Sequence, residues 1–274
     1  MRPPRGTPGG RPASAPTGAT SGPLSLARAL SKFGVCSRAE AARWIEAGRV
    51  EVGGRVVRFP ARRIDPRRDE VRVDGRRVGD DTARIVLVLH KPAGYITSRG
   101  DPGGRATVYD LLGDVGRWVF PVGRLDRDTS GLLILTNDHR LGQTLTDPEA
   151  HVPKRYHARV RGLPDAEALR ALREGVPLGD GTTSRPAAVQ ALGAAAQGGS
   201  SWIEIVLTEG KNRQVRRMCA TIGHEVEELT RVSVGTLDLG ELAAGEWREL
   251  TPAETRRLAA ARVIASEPTR EDRS

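Results

Sequence analysis

The chain has 274 residues, of which 43 are Lys or Arg and 34 are Asp or Glu, a formal net charge of +9 with a mean hydropathy of −0.40. That length suits one large domain or two smaller ones, and no apolar run approaches the ~18–20 residues of a membrane-spanning helix. Two cysteines, Cys36 and Cys219, with no CxxC or Cys/His ligand spacing, argue against both a disulfide framework and a metal site, and fit small core residues in reducing cytosol.

The charge is uneven along the chain. Residues 1–80 hold 17 Lys and Arg against 8 Asp and Glu, whereas the remaining 194 hold 26 of each. The whole excess sits in the first third, as an appended polyanion-binding module requires. Residues 1–22 contain no acid and almost nothing to bury, so a disordered basic arm is expected there. LSLARALSKFG then places Leu26, Ala29, Leu30 and Phe33 at helical spacing, with Gly34 as its stop. SRAEAARWIEAG opens with Ser37 and Glu40 in capping-box positions and closes at Gly48. RVEVGGRVV reads as a hairpin about Gly53-Gly54, and VRVDGRRV as another about Asp74-Gly75. Arg28 and Lys32 lie one turn apart on the first helix and Arg38 begins the second. On charge alone these three read first as a solvated helix face, with an RNA contact as the alternative.

LARALSKFGVCSRAEAARWIEAGRVEVGGRVV resembles the small S-four RNA-binding domain. The resemblance implies two helices plus short strands over residues 23–80, with Arg28, Lys32 and Arg38 facing RNA. The family usually has Asn where this chain has Gly53, a change that a left-handed turn position tolerates.

From residue 84 the pattern changes. RIVLVLHKPAGYITS opens with a buried strand, and WVFPVGRLD, GLLILTND, RYHARVRG, WIEIVLTEG and ELTRVSVGTLDL follow as further strands. Helices are expected at 164–174, 212–222 and 252–263, the last with Thr251 as cap, Pro252 at its first position and Glu254 two residues on. Many strands with turn-length connections and helices on the flanks suggest an α+β fold with a mixed, largely antiparallel sheet. That domain is expected to span 84–264, and 265–274 to be a disordered tail.

Three stretches carry candidate chemistry. In GRLDRDTSGLLILTND, Arg124, Asp126 and Asp128 project to one side of an extended run and Leu125 and Arg127 to the other. A carboxylate beside guanidinium groups stays ionised, as either a salt-bridged turn or a nucleophile or base. In KRYHARVR, Tyr156 shares a strand face with Lys154, Ala158 and Val160, while Arg155, His157, Arg159 and Arg161 share the other. Tyr156 suits either a half-buried core or a stacking platform for a nucleobase, with the basic face following phosphates. In TEGKNRQVRRM, Lys211, Arg213, Arg216 and Arg217 crowd a helix start, where the macrodipole opposes them. An anion there offsets that cost, whether a phosphate or a carboxylate such as Asp126.

KPAGY, GRLDRDTSGLLILTND, KRYHARV and EGKNRQVRRM occur here in the order found in RNA pseudouridine synthases of the RsuA type, which the chain therefore resembles over roughly 24–250. The resemblance implies isomerisation of uridine to pseudouridine in ribosomal RNA, with Asp126 as the catalytic aspartate. It makes Tyr156 the residue that packs on the target base and Arg216 the partner of the aspartate. Arg124 would help hold the flipped nucleotide, and Arg155, Arg159, Lys211, Arg213 and Arg217 would line the RNA path. Lys91, Pro92 and Gly94 match a motif that supports the active-site loop. GDPGGRATVYDLL most resembles the branch acting on large-subunit ribosomal RNA. No cofactor or metal is implied, since the reaction has no redox change and no group transfer between molecules. The expected partner is ribosomal RNA or a ribosomal subunit precursor, met by a cytoplasmic monomer.

Overall fold

A computed structural model of the chain describes residues 23–79, 83–113, 115–195 and 198–261. The expected basic arm and tail lie outside these residues. The chain divides into two units, Met1–Ser31 with Ser37–Asp80, and Lys32–Cys36 with Asp81–Ser274.

The first unit contains β1 (Leu24–Ser25), most of α1 (Leu26–Lys32), α2 (Arg38–Glu46), β2 (Val50–Val52), β3 (Arg55–Val56), β4 (Arg63–Ile64), β5 (Val71–Val73) and β6 (Arg76–Val78). Leu26, Ala29, Leu30, Ala41, Ile45, Val50 and Val71 are fully or almost fully buried, so the helical spacing read from the sequence is the core spacing. Ser37 Oγ accepts from Glu40 N at 3.1 Å and caps α2. Both hairpins form where expected, in the sheet order β3-β2-β5-β6. Their turns need left-handed backbone, at Gly53 and Gly54 (φ 57° and 74°) and at Asp74 and Gly75 (φ 49° and 76°). Arg28 and Arg38 are exposed.

The second unit is built on a nine-stranded sheet with helices packed against it. In chain order it comprises β7 (Val86–Lys91), α3 (Val108–Leu112), β8 (Phe120–Pro121), β9 (Ser130–Thr136), α4 (His139–Thr146), β10 (Lys154–Arg161), α5 (Ala166–Glu174), β11 (Ala188–Ala194), β12 (Ser200–Leu207), α6 (Gln214–Thr221), β13 (Val226–Val234), β14 (Leu237–Asp238), β15 (Trp247–Glu249) and α7 (Pro252–Ala259). The strand order is β11-β12-β10-β13-β9-β7-β15, with β14 on β13 and β8 on β9. Every pairing is antiparallel except β13 with β9. β7 and β9 read as unbroken apolar runs because both their faces are covered: Val86, Val88, Leu132 and Ile134 join one core cluster, and Leu87, Leu89, Leu133 and Leu135 another.

Three expectations shift. WVFPVGRLD forms a two-residue strand and then a loop, because the chain must leave the sheet to carry Asp126. The helix expected from Asn212 begins at Gln214, with Arg213 as its N-cap in a left-handed conformation (φ 48°). Two further helices, α3 and α4, join those expected. Each has a side-chain cap, Thr107 with Asp110 for α3 and Asp138 for α4, but each is so short that its apolar spacing covers barely two turns.

Candidate active site

The parallel junction of β13 with β9 positions the site. At it, Thr230 pairs with Ser130 and Arg231 with Gly131. A side chain at Gly131 (φ 107°) would run into the backbone of Arg231, so only glycine lets β9 approach β13 this closely. The loop Gly123–Thr129 enters the sheet at this point. Its Leu125 is buried and held twice by Thr97, whose Oγ1 donates to Leu125 O at 2.8 Å and accepts from Leu125 N at 3.2 Å. With Leu125 locked inward, Arg124 and Asp126 face the other way, as the alternation predicts.

Lys91 buttresses the same loop from beneath. It is fully buried, and its Nζ donates to Thr129 O at 2.7 Å and Pro92 O at 3.0 Å, with Arg127 O at 3.5 Å. Burial pushes its ammonium down to about 8, against the opposing pull of Asp128 and Asp126. Gly94 N donates to Arg127 O at 2.7 Å. KPAGY therefore holds the loop by its backbone carbonyls, as the resemblance implies.

The α6 arginines have found their anions, though not the expected ones. Arg216 sits on Asp128 rather than Asp126: its Nε lies 3.2 Å from Asp128 Oδ2, and its guanidinium donates to Asp128 O at 2.8 Å and Val226 O at 2.9 Å. The cation nearest Asp126 is Arg213, 3.8 Å away, which also grips Asp128 with two hydrogen bonds of 3.0 Å. That grip holds an arginine in a backbone conformation few side chains adopt. Burial alone would raise Asp128, but hydrogen bonding from Arg213 and the charges of Arg216 and Arg213 outweigh it and keep the carboxyl below its ordinary value. Arg217 donates to Leu178 O and pairs with Asp180 at 2.8 Å. Lys211 donates to Thr183 O at 2.7 Å. These two tie the β12–α6 connection to the segment after α5 and leave little free charge for RNA.

β10 has the two faces expected of it. Ala158 and Val160 are fully buried, and Tyr156 packs where two core clusters meet. The basic face differs from the expectation, because carboxylates distant in the sequence neutralise it. Arg155 pairs with Asp238 at 2.9 Å, His157 with Glu204 at 3.2 Å, Arg159 with Glu228 at 2.7 Å and Arg161 with Glu225 at 3.1 Å. Alternation within one strand cannot reveal which charges lie across the ladder.

A cleft of about 530 Å³ opens over the junction, within the ~300–1,000 Å³ of most small-molecule pockets. Arg124, Asp126, Tyr156 and Arg213 all line it; Arg216 and Arg217 do not. The Asp126 side chain is 37 % exposed, so its carboxylate reaches both solvent and the cleft. A carboxylate oriented by a cation beside an aromatic ring can attack or deprotonate a neutral ring compound seated there.

Comparisons with known proteins show the family. Residues 85–221 match the family model for RNA pseudouridylate synthases, and residues 25–71 match that for the S4 domain. An uncharacterized RNA pseudouridine synthase of Aquifex aeolicus is 40 % identical over 230 residues, covering 84 % of this chain and 91 % of the relative. The chain belongs to the RNA pseudouridylate synthase family. The ribosomal large subunit pseudouridine synthase B of Bacillus subtilis is 39 % identical over 235 residues, covering 86 % of this chain and 95 % of that protein. The protein of the same description from Shigella flexneri is 38 % identical, with 85 % and 81 % covered. A solved pseudouridylate synthase superposes with a TM-score of 0.60 at 27 % identity, covering 86 % of this chain and 99 % of its own.

In this pseudouridylate synthase the cleft also holds Lys154, Glu209, Gln214 and Arg231, none of which the sequence marks for a role there. Strand alternation puts Lys154 on the face of Tyr156 but suggests no function for it. Arg231 does leave a signal, since period two along ELTRVSV puts an arginine in step with Leu229 on the inward face.

Proposed function

We propose that this protein converts a specific uridine of ribosomal RNA, in the large subunit, to pseudouridine, with Asp126 as the catalytic carboxylate. The observation that carries the reading is that Asp126, Arg213 and Tyr156 line one cleft in a chain of this family. The target nucleotide leaves its stack, at an unstacking cost of roughly a few kcal/mol. Tyr156 packs on the extruded uracil and Arg124 helps hold the nucleotide. Arg213 takes over the pairing role that the resemblance implies for Arg216, which instead fixes the loop through Asp128.

In the reaction the N-glycosidic bond breaks, the uracil turns while bound, and a C–C bond forms as C5 loses its proton to water and N1 takes one up. Asp126 either attacks the anomeric carbon or removes a sugar proton to give a glycal. Arg28, Lys32 and Arg38, on α1 and α2, contact the backbone of the RNA or of a ribosomal subunit precursor. The protein acts in the cytoplasm as a monomer. The descriptions of the Bacillus and Shigella relatives favour the large-subunit substrate.

The test is nucleoside chromatography of large-subunit RNA transcripts after incubation with the purified protein. The reading requires pseudouridine from the wild type and none from Asp126→Asn. Release of free uracil would replace it with glycosidic hydrolysis.

A further inference from the structure

The inward side of the cleft carries two cations that the chemistry above leaves unused. Lys154 and Arg231 flank Tyr156: Lys154 lies two residues before it on β10, and Arg231 is its cross-strand partner on β13. All three line the cleft. Arg231 is only 4 % exposed, and its side chain's one hydrogen bond among the described residues runs from Nε to Leu132 O at 2.8 Å. Lys154 Nζ donates to Val152 O at 3.1 Å, its one hydrogen bond among the same residues. Neither has a carboxylate within ion-pair distance among the described residues. An ammonium has three donors and a guanidinium five, so both hold donors in reserve.

The cleft has three carboxylates, and each is engaged elsewhere. Asp126 is closest to Arg213; Glu209 accepts from Gln214 and from Arg185 N; Asp147 accepts from Glu149 N. The two cations also act on each other. Burial first, and then the charge of Arg231, push the Lys154 ammonium down to about 8. Burying like charges together without an anion is costly, and the fold keeps both at the wall of an open cleft. A uracil ring is neutral and cannot compensate them. The anion that RNA brings to this place is its phosphodiester.

We infer that Lys154 and Arg231 form a phosphate subsite that grips the RNA backbone next to the extruded nucleotide and so sets the depth at which the base meets Tyr156. The subsite rests on the RNA-isomerase reading and adds to it a positioning element outside the Asp126 chemistry. Lys154 and Arg231 act on the backbone, not on the reacting atoms.

The test uses synthetic RNA spanning the uridine that the wild type modifies, with a single neutral methylphosphonate placed in turn at each flanking linkage. Binding is read by fluorescence anisotropy and turnover by kcat/KM, for the wild-type protein, Lys154→Met and Lys154→Arg. At one linkage the neutral substitution is expected to weaken the wild type roughly 10–100-fold, the range of a charge-assisted hydrogen bond. Lys154→Met should lose a similar factor on unmodified RNA and nothing further on the neutral RNA, while Lys154→Arg keeps the wild-type sensitivity. Losses that multiply in Lys154→Met, or a wild type indifferent to both linkages, would overturn the subsite. Since binding is read without turnover, a protein that binds with the expected coupling but isomerises nothing would sink the function and leave the subsite standing. Should Lys154→Met fail to fold, the Lys154→Arg and wild-type arms still decide.

Discussion

Strand β10 carries basic side chains on both faces, and the two faces treat them in opposite ways. On the outer face Arg155, His157, Arg159 and Arg161 each find a carboxylate, on β12, β13 or β14 or, for Glu225, just before β13. On the inner face Arg231 is buried, Lys154 beside it is half-buried, and neither has one among the described residues. Where charge was easy to solvate the fold neutralised it, and where charge was expensive the fold left it bare. An exposed ion pair contributes ~0–1 kcal/mol, so the outer row is ordinary sheet-surface chemistry. A buried cation without a partner costs stability, and it persists where a ligand supplies the missing charge.

The largest effect is expected at the β9–β13 junction, where Arg231 meets Gly131. Gly131→Ala forces a side chain into the backbone of Arg231 at a left-handed position and should lower stability by about 3 kcal/mol or more. Thermal unfolding measures this, and a near-neutral result would mean that the β9–β13 junction adjusts.

Next comes Lys154→Met, which sharpens the comparison because it should stabilise the protein while weakening RNA binding. With the folded ammonium at about 8 against an ordinary 10.5, the protonated form carries a penalty on the order of 2–3 kcal/mol. That penalty is full below pH 8 and fades as pH rises towards 10.5. Lys91 titrates in the same window, so the informative quantity is the difference between wild type and variant. The advantage of Lys154→Met should be greatest at pH 7 and shrink above pH 8. An advantage independent of pH would mean that packing, not charge, was relieved.

A smaller effect is expected in the first unit. Replacing Arg28 and Arg38 by Ala should reduce the slope of log affinity against log salt by about 0.9 for each duplex phosphate that is no longer neutralised. An unchanged slope would remove those two residues from the RNA surface.

The smallest effect is assigned to the outer face of β10. Arg155→Gln and Arg159→Gln should cost ~1 kcal/mol or less and leave RNA affinity and its salt slope unchanged. A drop in affinity equal to that of Lys154→Met would erase the distinction between the faces.

Much of this is legible in the sequence where local pattern governs. The hairpins follow from Gly53-Gly54 and Asp74-Gly75, the cap of α2 from Ser37, and the apolar runs of β7 and β9 from burial on both faces. Asp126 stands out because a carboxylate between arginines opens an apolar strand. What is not legible depends on partners distant in the chain. Arg216 settles on Asp128 and Arg213 approaches Asp126, with Arg213, not Asn212, in the left-handed region at the helix cap, a choice no spacing announces. The acids that quench β10 lie on β12, β13 and β14 and, for Glu225, just before β13, 47 to 83 residues away along the chain for His157–Glu204 and Arg155–Asp238. Arg231 betrays itself only by an inward phase that most arginines avoid.

The most direct measurement is tritium release from large-subunit RNA carrying C5-labelled uridine, with wild type and Asp126→Asn compared at saturating protein. The account predicts release from the wild type and none from the variant, with RNA affinity of the two within a few-fold of each other. Equal release from both would contradict it, because the carboxylate in the cleft would then not be the group that opens the sugar–base bond.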